Sequence, residues 1–552
     1  MGIGAICGLA AVAFHLAIEF VEARLIDRAL HAGGRVWIAW TLVTPMVGGL
    51  VCGALLEYVF PGARGSGIPQ VKQAFASTPA TVPLRDAVGK FLVGSLQIGS
   101  GASLGREGPT VQICAGIASW FGRLASVSNE TQRRLLPVGV AAGIAAAFNA
   151  PIAAVTFTIE EVVGTLDRAV LSGVIVAAAL AAVIERSILG ESPVFDVPGT
   201  YGLHHASSLV LYAGIGLAAG FVSIVFTESI LALRVRFRRL PLLPSWARPG
   251  LGGFMTGALA VVGLMTLRTS GITGGGYATL GEMLNGLFSW WVLLGLCGLK
   301  LLATVLSYSS GGAGGIFAPS LFIGGALGGA VGAIDAAWLG HQEDPGAFAL
   351  VGMGAMFAGV IRAPITSVLI IIEMTRGYSL ILPLMIANMT AYVLARRFRP
   401  QSIYEALLEQ DGIKLRSPAE EKPLRVAEFL QTAQHVVLTP AMSAEEVMLR
   451  CSQGDTKHVY PVVDGEGRLI GIVTQEELGV LASTPEVMGI TTAFDLMRAP
   501  ANVRADDDLA QAINTMLTTG LRELPVTDAR ERLIGCIDDQ AVTRAYARQS
   551  SS

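Results

Sequence analysis

The sequence predicts a polytopic all-α membrane protein built from two inverted-topology repeats with broken, tilted helices, followed by a C-terminal cytoplasmic α/β domain. Three observations carry that expectation. The 552-residue chain is 52% hydrophobic, contains 66 glycines and has a mean hydropathy of +0.58, more apolar surface than an ordinary soluble enzyme can bury. Its charge is uneven: 37 of the 81 charged residues fall in positions 405–552, which puts the boundary between membrane and water near Arg396-Arg397-Phe398-Arg399-Pro400. The apolar part also repeats. Gly105-Arg106-Glu107-Gly108-Pro109 returns 210 residues later as Gly315-Ile316-Phe317-Ala318-Pro319, preceded at the same offset by Lys90, Leu92, Ser100 and Gly101 recurring as Lys300, Leu302, Ser310 and Gly311. Downstream, at an offset of 213, Ala150, Pro151, Ile152, Ile159 and Glu160 recur as Ala363, Pro364, Ile365, Ile372 and Glu373. Two diverged copies in a membrane point to a transporter, with the site where their broken segments meet.

The transport domain is read as residues 1–404, with repeats of roughly 36–233 and 249–395. At its start the apolar stretch runs into Glu19, Glu22, Arg24 and Asp27 without a basic n-region or a small-residue cleavage site, so no cleavable signal peptide is expected. Several uncharged stretches, such as Ala169 to Ile184 and Leu251 to Leu267, fall short of the ~20 residues of a straight span. Leu301 to Ile334 is too long and too rich in glycine for one. Interrupted helices are therefore expected, with Gly311-Gly312-Ala313-Gly314-Gly315 lining a pathway because irregular backbone cannot face lipid. The basic loops at Arg234, Arg236, Arg238, Arg239 and Arg248, and at Arg396, Arg397 and Arg399, place both loops and the tail after them in the cytoplasm. The scattered Cys7, Cys52, Cys114, Cys297, Cys451 and Cys536 read as reduced, packed residues, and His204-His205 as a loop without further ligands.

Residues 405–434 read as a linker and 435–552 as the tail domain. Pro461-Val462-Val463-Asp464-Gly465-Glu466-Gly467-Arg468-Leu469-Ile470-Gly471 is echoed 64 residues later by Pro525-Val526-Thr527-Asp528-Ala529-Arg530-Glu531-Arg532-Leu533-Ile534-Gly535. Each copy is a strand, a polar turn and a strand, preceded by a helical pattern at 444–451 or 508–517. The tail resembles a tandem pair of CBS motifs. In nucleotide-binding members a Thr or Ser followed three residues later by Asp holds the ribose. Here Thr474 is followed by Glu477, and the second copy has Asp538-Asp539-Gln540-Ala541. Two readings stay open: a packing and dimerisation domain, or an adenine-nucleotide sensor using Thr474 and Glu477.

The chemistry lies in three segments that end in proline at a helix start: Gly65-Ser66-Gly67-Ile68-Pro69, Gly105 to Pro109 and Gly315 to Pro319. Proline suits the first helical turn and glycines admit close approach to the backbone. Helix N-termini attract anions, so three converging ends can hold one without a buried full positive charge. With these motifs the chain resembles the CLC family of chloride channels and chloride/proton antiporters over about residues 1–410. That resemblance implies chloride contacts from the Ser66 hydroxyl, Gly108, the amides around Ile316 and Phe317, and the hydroxyl of Tyr404. Serine at 66, where nitrate-preferring relatives carry proline, implies chloride as the substrate. The resemblance makes Glu107 the gate and outer proton acceptor, a carboxylate that competes with chloride for its site; the alternative is a passive partner of Arg106. A buried ionisable residue in a membrane is itself a functional hypothesis.

Glu160 recurs as Glu373 and reads as a structural helix-end residue shared by both copies. Glu161 has no copy, its counterpart being Met374, and by resemblance it relays protons from the cytoplasm; the alternative is a solvated helix-end carboxylate. Phe148 resembles a residue beside the pathway, or packs. The resulting expectation is a secondary active chloride/proton antiporter in a bacterial inner membrane, homodimeric and surrounded by lipid, carrying chloride and protons and binding no nucleic acid. No resident cofactor is required beyond bound chloride, with adenine nucleotide an option at the tail. A chloride channel gated by Glu107 is the near alternative, and a nucleotide-sensing membrane signalling protein the distant one. No His-Glu-x-x-His or phosphate loop points to an enzyme.

Overall fold

The computed structural model describes residues 1–164, 168–191, 193–195, 197, 201, 208–241, 243–339, 344–414, 424–430, 436–453 and 458–551. It forms two compact units, Met1–Leu415 and Arg416–Ser552. His204-His205 lies outside the described residues.

The first unit is helical, and seven of its described helices are long and apolar enough to cross a membrane. The stretch 301–334 is broken as expected. Helix Trp290–Ser309 stops, glycine-rich backbone follows, and helix Phe317–Ile334 begins. Ser310, Ala313 and Ile316 in this break are buried, so its irregular backbone lies within protein, where its polar groups can be satisfied. Helix Phe317–Ile334 meets helix Pro345–Ile361 backbone to backbone: a Cβ on Gly324 would lie 2.3 Å from the Gly352 carbonyl oxygen, and one on Gly328 would lie 2.1 Å from that of Phe348. In the first repeat Gly139 meets the Cys114 carbonyl in the same way, between helices Asn129–Phe148 and Glu107–Leu124. Lipid offers helices no hydrophobic drive to associate, so this close packing is what holds them.

The two repeats are joined by reciprocal contacts. Gly105 N–H donates to the Gly315 carbonyl at 2.7 Å, and Gly315 N–H donates to the Gly105 carbonyl at 2.7 Å. Equivalent residues that exchange both hydrogen bonds are what a local two-fold axis imposes. The Glu373 carboxylate accepts from the amides of Ile152 (3.1 Å) and Ala153 (2.7 Å), at the start of helix Pro151–Phe157. Glu160 does the same for helix Pro364–Thr375, accepting from Ile365 N–H at 3.3 Å, Thr366 N–H at 2.8 Å and the Thr366 hydroxyl at 2.6 Å. Each glutamate caps the other copy's helix, supplying acceptors and negative charge to otherwise orphaned amides. Equivalent buried lysines also hold loops: Lys90 donates to the Gly65 carbonyl at 2.7 Å, and Lys300 to the carbonyls of Gly271, Ile272 and Gly274 at 3.1, 3.1 and 2.8 Å.

The second unit contains strands Val459–Val463 and Leu469–Thr474, paired antiparallel, and a sheet in which Glu523–Thr527 pairs parallel with Val503–Arg504 and antiparallel with Leu533–Asp538. Helices Ala444–Gln453 and Leu509–Thr519 fall where the sequence pattern puts them. The repeated turns dock symmetrically: Leu469 N–H donates to the Glu531 carbonyl at 3.0 Å, and Leu533 N–H to the Gly467 carbonyl at 3.1 Å.

The interval 405–434 is not a simple linker. Helix Ile403–Gln410 belongs to the first unit, with Tyr404, Ala406, Leu407 and Leu408 buried. At its other end Val426 is fully buried in the tail's apolar core, its N–H donating to the Asp507 carbonyl at 3.1 Å. The transport unit therefore runs past residue 404 and the tail begins before 435, because apolar side chains at both ends of the interval pack into a core.

Candidate functional site

The three proline-ended segments are sewn together by their backbones. Besides the Gly105–Gly315 pair, Gly65 N–H donates to the Gly312 carbonyl at 2.9 Å and Gly314 N–H to the Gly65 carbonyl at 3.1 Å. Gly67 has φ +106°, a conformation side chains rarely adopt, and a Cβ there would lie 2.4 Å from the Gly108 carbonyl oxygen. A Cβ on Gly108 would lie 2.5 Å from the Ser66 hydroxyl oxygen. Helices Ile68–Ala76, Glu107–Leu124 and Phe317–Ile334 start here, with Pro69, Pro109 and Pro319 in their first turns. Their unpaired amides supply a partial positive charge without a cation.

Glu107 is fully buried. One carboxylate oxygen accepts from Ala318 N–H at 3.3 Å, at the start of helix Phe317–Ile334, and the other accepts from the Tyr277 hydroxyl. The carboxylate thus occupies a helix N-terminus, where anions are favoured. Arg106 turns elsewhere, donating to the Ala147 carbonyl at 3.3 Å and lying 5.4 Å from the centre of the Tyr277 ring. Ser66 and Tyr404 are fully buried, and neither hydroxyl makes a well-formed hydrogen bond to the chain, although the two lie close to each other. Buried hydroxyls left unpaired are costly, and a bound anion would accept from both. Ile316 and Phe317 are fully buried at the same helix start; the Phe317 ring packs on Phe357 (4.3 Å between centres), Phe148 (4.6 Å) and Phe157 (5.9 Å). Two cavities flank the site. One of about 50 Å³ is lined by Arg64, Arg234, Arg238 and Arg248 and reaches Gly65; the other, of about 560 Å³, reaches Arg106 and Tyr277.

Glu161 is no solvated helix-end residue. It is buried, and one carboxylate oxygen accepts from Lys72 Nζ at 2.8 Å and from the Ser402 hydroxyl at 3.2 Å. Lys72 is also buried and reaches Glu405 at 3.3 Å. Tyr404, two residues after Ser402, lies on the same helix start as Glu405, which shares Lys72 with Glu161.

In the tail, Thr474 and Glu477 are brought together, but to cap helix Gln475–Ser483. The Thr474 hydroxyl and N–H both donate to Glu477, the latter at 2.7 Å. Partial burial pushes the Glu477 carboxyl up, but the bonds from Thr474 outweigh it and hold it below the usual range.

Tyr277, Lys72, Ser402 and Glu405 were not singled out from the sequence. At the 210-residue offset Tyr277 is the counterpart of Gly67, within the second copy of the Ser66 segment, so a longer alignment of the repeats reaches it. Lys72 carried a weaker signal, a lysine just beyond Pro69 in a half of the chain whose only other lysine is Lys90.

The family model for the voltage gated chloride channel matches residues 48–396, and that for the CBS domain matches 426–478 and 487–548. The chain is 35% identical over 421 residues to the H(+)/Cl(-) exchange transporter ClcA of Vibrio campbellii, covering 74% of this chain and 88% of that protein. It is 34% identical over 430 residues to a putative chloride channel protein, ClcB-like, of Ralstonia nicotianae, covering 76% and 98%. The crystal structure of a slow cyanobacterial Cl-/H+ antiporter superimposes with a TM-score of 0.67 at 28% identity, covering 74% of this chain and 96% of that one. The chain is an integral membrane protein and belongs to the voltage gated chloride channel family, with a CBS tail.

Proposed function

We propose that the protein is a secondary active chloride/proton antiporter. The observation that carries this reading is a pair of buried carboxylates, Glu107 bonded at the start of helix Phe317–Ile334 and Glu161 bonded to Lys72 and Ser402. Chloride is held by the hydroxyls of Ser66 and Tyr404, the amides at Ile316 and Phe317, and the backbone at Gly108. Glu107 leaves that place when protonated and returns when ionised, so a proton is exchanged each time chloride takes the site. Glu161 supplies protons from the cytoplasmic side. The names of the Vibrio relative and the cyanobacterial structure support exchange. A second reading, a chloride channel without proton coupling, is favoured by the name of the Ralstonia relative; a proton-binding residue buried as Glu161 is has no use in it. The subunit sits in a bacterial inner membrane, as a homodimer, with the CBS pair cytoplasmic and serving regulation or dimerisation.

The test is luminal pH in liposomes of the purified protein under a chloride gradient, with voltage clamped by potassium and valinomycin. Uphill proton movement, lost in Glu161→Gln while chloride still flows, is the expected result. Glu107→Gln is expected to leave chloride flux active and indifferent to pH. Chloride flux without proton movement in the unaltered protein makes it a channel.

A further inference from the structure

Glu161 is buried, so a proton must reach it through other groups, and three residues close a ring with it. Lys72 Nζ lies 2.8 Å from Glu161 and 3.3 Å from Glu405, the Ser402 hydroxyl donates to Glu161 at 3.2 Å, and Ser402 N–H donates to the Glu405 carboxylate at 3.4 Å. The burial is graded: the Glu161 and Lys72 side chains are 4% and 8% exposed, and that of Glu405 is 43% exposed. Glu405 lies on helix Ile403–Gln410, just after the basic Arg396, Arg397 and Arg399, the side that the positive-inside rule assigns to the cytoplasm. The charged and titratable groups facing Glu161 are Lys72 from helix Ile68–Ala76 and Tyr404 and Glu405 from helix Ile403–Gln410.

Resting on the antiporter reading, the geometry points to Glu405 as the cytoplasmic proton acceptor that loads Glu161 across Lys72. A proton from the cytoplasm forms an O–H bond on the Glu405 carboxylate. An Nζ–H bond of Lys72 breaks as an O–H bond forms on Glu161, and the neutral amine takes the proton carried by Glu405. One proton has moved inward, Lys72 is again an ammonium, and Glu405 is again a carboxylate. The Ser402 hydroxyl holds the accepting oxygen of Glu161 in place.

Two substitutions separate this route from a structural role. Glu405→Gln keeps an acceptor for Ser402 N–H, since Gln serves the capping box as Glu does, but cannot carry the proton. Lys72→Arg keeps a cation between the carboxylates, but a guanidinium does not give up its proton in a protein. In the liposome assay each is expected to lower the ratio of proton to chloride flux at least ten-fold, with Glu405→Asp restoring part of it and the dependence on cytoplasmic-side pH flattened in Glu405→Gln. Either Glu405→Gln or Lys72→Arg keeping the unaltered ratio overturns the route. If Glu161→Gln abolishes proton movement while these two do not, this inference fails and the antiporter reading stands. If the unaltered protein moves no protons, the antiporter reading itself fails.

Discussion

On the antiporter reading, the contact between Tyr277 and Glu107 is a measurable latch on the anion site. The Glu107 carboxylate is held by two donors, the Tyr277 hydroxyl and Ala318 N–H. Tyr277→Phe removes one and leaves the ring, which stacks on Phe195 at 6.0 Å. A hydrogen bond to a charged group contributes about 1.5–3 kcal/mol, and about 1.4 kcal/mol is tenfold in an equilibrium constant. Taking the low end of that range, the carboxylate should yield its place roughly ten-fold more readily. Chloride competing for that place gains apparent affinity by the same factor, since affinity scales with the fraction of sites free to bind. Calorimetric titration of the purified protein with chloride reads this directly. The control is the double variant: with Glu107→Gln already present, Tyr277→Phe should add nothing, because the charged acceptor it acts on is gone. An unchanged chloride affinity in Tyr277→Phe, or an equal gain in the Glu107→Gln background, would refute the latch.

Other consequences are structural. Glu160→Ala and Glu373→Ala each strip the cap from a helix of the opposite repeat and should cost about 1–2 kcal/mol, with Glu160→Ala the larger because it also loses the Thr366 hydroxyl; melting in detergent that is unchanged in both variants would contradict the cross-capping. Lys300→Met leaves three close carbonyls without their donor, against one for Lys90→Met. It should destabilise the fold more, and the reverse order in the same melting assay counts against the loop-holding role. In the tail, the amides of Arg468 and Arg532 hold the carboxyls of Asp464 and Asp528 below the usual range. A depressed carboxyl adds stability above its unfolded value near 4 and loses it as the pH falls through the lower folded value. Amide exchange of the full chain should therefore show both turns opening in acid, and turns whose protection is constant from neutrality to pH 2 would be inconsistent with that linkage.

The two-repeat framework was legible because its residues serve each other across the two-fold axis. Glu160 and Glu373 each need the other copy's helix start, so neither can change alone without stranding amides, and both stayed recognisable. The break inside 301–334 was legible for a related reason: backbone that leaves the helix must be buried, and the glycines that allow its close packing are visible in the sequence. The ring around Glu161 was not. Lys72 and Glu405 lie 333 residues apart, and nothing periodic or repeated joins them; only folding brings a lysine from the first repeat to a helix after the second. Tyr277 was hidden by divergence, since at its position the first copy carries Gly67. Thr474 and Glu477 were legible as a spaced pair, but spacing does not distinguish a ribose clamp from a helix cap, and in this fold the two side chains satisfy each other.

The contrast between kept and changed positions argues for how the site works. Gly105 and Gly315, Pro109 and Pro319, Lys90 and Lys300, and Glu160 and Glu373 are alike in both copies, and each pair holds backbone: a bridge, a helix start, a loop or a cap. The positions assigned to ions differ. Glu107 corresponds to Phe317 in the second copy, Ser66 to Gly276, Gly67 to Tyr277 and Glu161 to Met374. A symmetric site would place a titrating carboxylate at both helix starts, and two carboxylates that close would repel and exclude the anion they are meant to yield to. With Phe317 in the second copy, one helix start offers only amides while the other offers a carboxylate, and the Glu107 carboxylate accepts from Ala318 N–H, where the antiporter reading puts an anion when Glu107 leaves. Glu161 is likewise present in one copy only, its counterpart being Met374. Restoring the symmetry is therefore informative. Phe317→Glu should abolish chloride binding in calorimetry although the bridge between Gly105 and Gly315 has no side chain to disturb, and retained chloride affinity in that variant would show that the asymmetry of the two copies is not what makes the anion site.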